Sequence, residues 1–334
     1  MYKIRAISFG DIVTPSTRYR LLQLIPFLLK SNVSLEVKTN KEISKTSNFF
    51  DYIFRARFLG IDTLWIQKKV LSIFRVWLIS RTCKIIYDFD DAIWTSEKNN
   101  RSKLTTWRAT FRLHYILRKS SLVIAGNDFL AEYARRFAKN VMVLPTVVDV
   151  NSYPLKNHSN GKIFALGRIG QSVNFKYLEN LYPVFLQLQS LIEFKLIVVA
   201  DKDFYLDGIN IENRRWSLES EISDILDMDV GLMPLDDTEW TRGKCAFKAI
   251  QYMASGIPPV ASCVGANVEL INSGENGFLP VDEKEWVSNI ILLAKSSELR
   301  TKIGVSARKV VEERYSLQYI ENQLCHALND LRKS

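Results

Sequence analysis

Residues 231–280 read GLMPLDDTEWTRGKCAFKAIQYMASGIPPVASCVGANVELINSGENGFLP and hold the densest set of residues able to do chemistry. Lys244 and Lys248 stand four apart on a segment, FKAIQYMAS, that reads as helical. That spacing would put both ammonium groups on one helix face near the helix start. A helix N-terminus already favours anions, and Arg242 adds a third cation. A short apolar strand, Pro258–Ala261, follows, and then turns at Gly265, Gly274 and Gly277. A cationic helix start, a strand and a glycine-rich turn together suit a diphosphate. The competing reading is a solvated charge pair. The crowding of apolar and small residues, with Gly243 directly after Arg242, argues against it.

A second cluster lies in KIIYDFDDAIW, where Asp88, Asp90 and Asp91 fall at a strand end. Three carboxylates so close repel one another and are expected to raise at least one pKa, a mark of functional sites. Helix capping is the structural alternative. A third candidate is the loop SFGDIVTPSTRYR after the first strand. Ser16, Arg18 and Arg20 there could touch an acceptor phosphate or a diphosphate; otherwise Ser16 or Thr17 caps a helix and the arginines are solvated.

The run QYMASGIPPVAS followed by VGANVELINSGENGFL also carries a family resemblance, through Ala254, Gly256, Pro258, Val260, Ala261, Ser262, Gly265, Glu269, Gly274, Asn276, Gly277 and Phe278. It resembles the donor-binding region of GT-B glycosyltransferases in the large retaining group called "glycosyl transferases group 1" (family 4). That group carries E-x7-E, one glutamate for ribose hydroxyls and one for the donor sugar. Here those positions are Gly243 and Gln251, so the chain resembles a sub-branch reading RGK-x3-K-x2-QYMA. The resemblance implies that Gln251 bonds the ribose, that Asp236, Asp237 or Glu239 meets the sugar, and that Glu269 belongs to the donor site. In GRIG, Arg168 would pair with the diphosphate; Lys176 follows at a longer spacing than the group's lysine. The group's HD motif aligns on Asp90 and Asp91, which with Lys248 become the catalytic candidates. Asp88 and Asn127 join Ser16 and Arg18 on the acceptor side, and Asp149 would fix the inter-domain loop. D-x-D is also a metal signature in GT-A enzymes, but this DFDD lies in the half without the lysine-rich segment. The implied enzyme is retaining, uses a nucleotide-sugar donor, needs no metal or other cofactor, and acts on a glycan or lipid-linked acceptor in cell-surface polysaccharide synthesis.

The elements that must position these residues alternate between strand and helix. KIRAISFG, Leu64–Gln67, Lys84–Asp88 and Leu122–Ala125 read as strands in the first half; KIFALG, FKLIVVA, VGLMPL and PPVAS do so in the second. Pro15–Leu29 reads as an amphipathic helix between them. Such alternation implies parallel sheets covered on both faces by helices. The expected architecture is α/β, with two Rossmann-like domains facing across a cleft. Residues 1–158 form the acceptor-side domain and 159–315 the nucleotide-sugar domain, joined near the polar KNHSNG. A helix over 316–334 crosses back to the first domain, an expectation from the resemblance.

Composition narrows the classes further. The 334 residues are 47% hydrophobic, enough for two domains, and no apolar run approaches a membrane span. MYKIRAISFG reads as a strand and lacks a signal-peptide pattern, and the four cysteines show no CxxC spacing, so the expected setting is cytoplasmic with free thiols. His114, His158 and His326 lie too far apart to suggest zinc. Net charge is +9, but residues 1–160 hold 26 Lys+Arg against 12 Asp+Glu, a balance of +14, and the remainder 19 against 24, a balance of −5. The basic half calls for an anionic partner, nucleic acid or an anionic membrane. Lys68, Lys69, Arg75, Arg108, Arg112, Arg118 and Lys119 interleave with aromatics as a surface for lipid headgroups. No nucleic-acid motif accompanies the charge, so the membrane, as a peripheral site on its inner face, is the expected partner. Two alternatives to the enzyme stand: a GT-B-like pseudoenzyme lacking the glutamate at 243, and a basic nucleic-acid-binding α/β protein.

Overall fold

The short apolar runs of the first half build one six-stranded sheet. A computed structural model describes residues 1–39, 60–95, 103–159 and 163–333. Its first unit runs β1 (Tyr2–Ile7), α1 (Pro15–Arg20), α2 (Ile25–Lys30), β2 (Val33–Lys38), β3 (Thr63–Gln67), α3 (Ile73–Ser80), β4 (Lys84–Phe89), α4 (Lys103–Lys119), β5 (Leu122–Ala125), α5 (Asp128–Arg135) and β6 (Val141–Val143). All neighbours pair parallel, in the order β2-β1-β3-β4-β5-β6. Alternate residues face opposite layers. Ile4, Ala6, Trp65, Ile86 and Ile124 join the layer of α1 and α2. Ile7, Leu64, Ile66, Ile85, Tyr87, Phe89 and Val123 pack under α3, α4 and α5.

The expected helix over Pro15–Leu29 is interrupted. A 3-10 turn, Leu22–Leu24, separates α1 from α2. Pro26 has no N–H to offer the Leu22 carbonyl, so an unbroken helix would lose that bond and meet the ring.

The second unit runs β7 (Phe164–Ile169), α6 (Phe175–Glu179), α7 (Tyr182–Gln189), β8 (Phe194–Ala200), β9 (Ile211–Arg215), α8 (Glu221–Leu226), β10 (Val230–Met233), α9 (Glu239–Arg242), α10 (Phe247–Ala254), β11 (Pro259–Ala261), α11 (Ala266–Leu270), α12 (Glu283–Lys295) and α13 (Ser297–Arg314); α14 (Leu317–Lys333) closes the chain. Its sheet is also parallel, in the order β11-β10-β7-β8-β9. Phe164, Leu166, Leu196, Val198, Val230 and Leu232 form its core with α7 and α12.

The two units are not contiguous in sequence. The first comprises Met1–Val147, Arg242–Cys245 and Leu317–Ser334; the second comprises Val148–Thr241 and Ala246–Ser316. The division thus comes at Val147, ahead of the linker expected at KNHSNG, whose Asn160 and Gly161 lie outside the described residues. Each sheet has one point where the strand order reverses, between β1 and β3 and between β7 and β10. Open α/β sheets bind ligands beyond the carboxyl ends of the strands at that point.

Candidate active site

In the first unit the switch point is occupied by a network of charges. β1 leads through a loop into α1, whose first turn holds Ser16; β3 ends at Gln67, just before Lys68, and β4 ends at Asp88 and Phe89. The Gln67 side chain ties this end together, accepting from the Phe9 N–H at 3.1 Å and donating to the Ser16 carbonyl at 2.9 Å. Lys68 takes a left-handed backbone turn, φ 53°, costly for a residue with a Cβ. Its Nζ lies 2.5 Å from Asp90 Oδ1 and 2.6 Å from Asp91 Oδ2, and donates to Ser16 Oγ at 3.0 Å. Ser16 Oγ in turn donates to Asp90 Oδ2 at 3.0 Å.

This network changes three expectations. Lys68 is not part of a lipid-facing surface: its side chain is 7% exposed and spent on two carboxylates. Arg20 is not solvated either. It is fully enclosed, pairs with Asp88 at 2.5 Å, and donates to the Leu144 carbonyl and to Thr146 Oγ1. Burial works against its charge, yet the Asp88 carboxylate, by field and hydrogen bond, holds the guanidinium pKa above its ordinary value. Third, the three carboxylates do not face one another unrelieved. Arg20 answers Asp88, and Lys68 answers Asp90 and Asp91, so the sites a metal would take are filled by protein cations. Among the described residues no group of three or more His, Cys, Asp or Glu is arranged to hold a metal ion. The N-cap of α1 is Thr14, without a side-chain bond, so neither Ser16 nor Thr17 caps it. Arg18 is half-buried, its guanidinium 4.8 Å from the Tyr19 ring.

The segment Arg242–Cys245 completes this unit. Asn127 caps α5 through Leu130 N–H and uses its amide to hold the carbonyls of Arg242, at 3.2 Å, and Lys244, at 3.1 Å. Cys245 Sγ donates to the Asp90 carbonyl at 3.3 Å. Burial pushes this thiol up to about 12, which makes it a packing group and no nucleophile. Gly243 has no room for a side chain: a Cβ there would lie 2.6 Å from Ala92 Cβ and 2.7 Å from Ala92 N. No glutamate fits, which accounts for the loss of the first glutamate of E-x7-E. Lys244 is therefore not on a helix with Lys248, because α10 begins only at Phe247. Arg242 is exposed and Lys244 half-buried.

In the second unit the switch point holds Arg168, near the end of β7. It is 8% exposed, and its Nη2 donates to the Asn174 carbonyl at 3.3 Å. Its Nε and Nη1 are buried with no hydrogen-bond partner among the described residues. Burial lowers its pKa, opposed by Tyr252 and Tyr177. The guanidinium lies over Gly170, where a Cβ would come within 3.0 Å of Nη1. Lys176 is exposed, over the Tyr177 ring at 4.8 Å.

Lys248 stands in the first turn of α10, and its Nζ donates to Gln251 Oε1 at 2.8 Å. Gln251 departs from its expected role as a ribose contact. It is 0% exposed, and its amide donates to Tyr153 Oη at 3.0 Å and to Glu221 Oε1 at 3.2 Å. The other Glu221 oxygen accepts from Trp216 Nε1 at 2.8 Å. Glu221, which sequence reasoning missed, explains the glutamine: a glutamate at 251 would set two buried carboxylates against each other. Asp236 is half-buried, accepts from Asn180 at 2.8 Å, and lines a cavity of about 420 Å³ with Asp237, Tyr177, Ser262 and Trp286. Glu239 starts α9 and Glu269 lies on α11, both exposed. Asp149 caps a 3-10 turn, accepting from Asn151 N–H and Ser152 Oγ.

With this geometry in place, comparison with known proteins is informative. Residues 160–296 match the family described as "Glycosyl transferases group 1". Spore coat protein SA of Bacillus subtilis (strain 168) is 33% identical over 75 residues, 22% of this chain and 20% of that protein, so the match spans a fifth of that relative's length. Among solved structures, sucrose-phosphate synthase from Thermosynechococcus elongatus superposes with a TM-score of 0.78 at 16% identity, covering 100% of both chains. HepE of Anabaena, solved with UDP and glucose, gives 0.67 at 16% identity, over 99% of this chain and 100% of that one. At these identities the structures establish the fold, which is GT-B; the family match is confined to residues 160–296, less than half of the chain.

Proposed function

We propose that this chain, with its group 1 glycosyltransferase module at residues 160–296, is a retaining, metal-independent enzyme that moves a sugar from a nucleotide-sugar donor to a glycan or lipid-linked acceptor. The observation that carries this is Arg168: a buried guanidinium at a strand-order reversal, with two N–H-bearing nitrogens unpartnered and no paired carboxylate among the described residues. A buried cation in that condition is stable only if an anion joins it, and a diphosphate supplies one. When the nucleoside diphosphate leaves, charge gathers on its β-phosphate. Fixed cations aimed there lower the barrier without a metal. Arg168 and Lys248 take that role in the second unit, with Asp236 and Glu269 toward the sugar. In the first unit Asp90 and Asp91, held by Lys68 and Ser16, face the acceptor chemistry, with Asp88, Arg18 and Asn127 shaping that side. Arg242 and Lys244 add positive charge from the segment packed there. HepE was solved with UDP, so UDP is the first nucleotide to test. The spore-coat relative supports a role in building the cell surface, and the basic balance of residues 1–160 supports work at an anionic membrane from the cytoplasmic side.

The test is release of nucleoside diphosphate from a panel of UDP- and GDP-sugars in EDTA, for the native protein and Arg168→Ala. Turnover in chelator that falls by roughly 100- to 1000-fold in the variant is expected. No turnover with any donor, or turnover abolished by EDTA and restored by Mn2+ alone, overturns the reading.

A further inference from the structure

The outer faces of α3 and α4 carry an aromatic stripe that stands exposed and outside the core clusters of the described residues. Leu113, Ile116 and Leu117 of α4, with Val76 and Ile79 of α3, point into the core. The opposite side of α4 exposes Leu104 (57%), Trp107 (63%) and Phe111 (48%). These recur every three to four residues, so they form one outward line. Trp107 and Phe111 stack with ring centroids 5.8 Å apart. α3 packs against α4 and repeats the pattern, exposing Phe74 and Trp77, whose centroids lie 6.0 Å apart. Isolated exposed apolar residues need no explanation, but a clustered aromatic stripe marks a contact surface.

The charges around the stripe decide what it contacts. Neither helix contains an aspartate or a glutamate. Arg108 and Arg112 are exposed beside Trp107 and Phe111, and the guanidinium of Arg81, just past α3, lies 4.8 Å from the Trp77 ring centroid. A second copy of this face would bring arginine against arginine. A bilayer interface with anionic headgroups accepts both halves of the pattern: rings at the acyl boundary and guanidinium groups at phosphates.

We infer that the outward face of α3 and α4 is a membrane-docking surface for anionic lipid, in which Trp107 and Phe111 enter the interface and Arg108 and Arg112 bind headgroup phosphates. This deepens the proposed membrane partner by assigning it a surface. It also departs from a diffuse basic attraction, because Lys68 is enclosed and takes no part.

The experiment is co-sedimentation of the full chain with vesicles of phosphatidylcholine alone or with 30% phosphatidylserine, as an about threefold dilution of anionic headgroups that leaves a strong surface potential. Four proteins are compared: native, Trp107→Ser/Phe111→Ser, Arg108→Gln/Arg112→Gln, and Tyr205→Ser, an exposed ring in the second unit at 77%. The aromatic variant is expected to lose at least about tenfold in partitioning to anionic vesicles, including at high salt. The arginine variant should lose roughly thirtyfold at low salt and little at high salt. Tyr205→Ser should match the native protein. If the native protein binds anionic vesicles and the aromatic variant binds equally well, the assigned face is wrong while the membrane reading stands. If the native protein binds no anionic vesicle, both fail. A shift in sedimentation coefficient in the aromatic variant without loss of vesicle binding would make the face a self-association surface and overturn the inference.

Discussion

Gln251→Glu should damage this protein in a way that pH can repair. The substitution restores the family's second glutamate with almost no change in shape. In the structure, however, the Gln251 amide nitrogen lies 3.2 Å from Glu221 Oε1, and both residues are buried. A carboxylate in its place meets another carboxylate. Two like charges about 4 Å apart repel by about 4 kcal/mol at an effective dielectric near 20. Lys248, 2.8 Å from the other oxygen of the residue 251 side chain, returns part of that. The Tyr153 hydroxyl can turn to donate to the new carboxylate and recovers its bond. The net loss expected near pH 8 is about 2–4 kcal/mol, or roughly 5–10 °C in Tm. The sign with pH follows from linkage. In the variant, repulsion raises a carboxyl pKa in the folded state only, so the native state holds more protons than the unfolded one above pH about 4.3. Stability is then lost as pH rises through the raised value and regained toward pH 5. Urea titrations of both proteins at pH 5 and pH 8 measure this. Equal midpoints at pH 8, or a deficit that does not change with pH, would refute the claim that Glu221 dictates glutamine at 251.

The remaining predictions concern the other charges. Lys248→Ala should cut kcat by roughly 100- to 1000-fold with little change in Tm, while Lys176→Ala, removing an exposed cation, should be nearly silent; steady-state kinetics that reverse this order would move the diphosphate site to the Arg168–Lys176 side. Lys68→Met should destabilise by about 3–5 kcal/mol at pH 8 in urea titrations, because it strips the cation from Asp90 and Asp91. A variant as stable as the native protein at pH 8 would show that Lys68 does not neutralise the pair.

Much of the fold was legible because strands buried on both faces betray themselves as apolar runs: KIIYDF, LVIA and FKLIVVA all form where expected. The strands that were not read are short or mixed in pattern, and β6 is only VMV. β9 is IENRR, a polar edge strand, and β2 is VSLEVK, where serine and glutamate dilute the signal. Periodicity identified the helix at Phe247–Ala254 but could not show where it starts, since the start depends on Ala246 at φ 50° and on the packing of Gly243 against Ala92. Both are tertiary facts. The acidic cluster was visible as residue types, but its partners were not. Arg20 lies 68 residues from Asp88, and Lys68 is 23 from Asp91. Sequence distance hid the neutralisation and made three carboxylates look mutually repulsive. Glu221 escaped notice for the same reason, 30 residues ahead of Gln251.

The discontinuous first unit also constrains how the protein is made. Its β1, β3 and β4 layer is closed on one side by Leu317, Ile320, Leu324, Leu328 and Leu331 of α14, the last helix. The carbonyls that occupy the Asn127 amide and the thiol against the Asp90 carbonyl arrive only with residues 242–245. During synthesis the first sheet therefore emerges with one apolar layer only partly covered, by Leu21, Leu24 and Leu28, until residues 317–331 follow. Residues 148–241 and 246–316 have no such wait within their own unit. The half that begins first is thus completed only after residues 148–316 of the other unit, and truncation ahead of Leu317 would leave its strands open to chaperones and proteases.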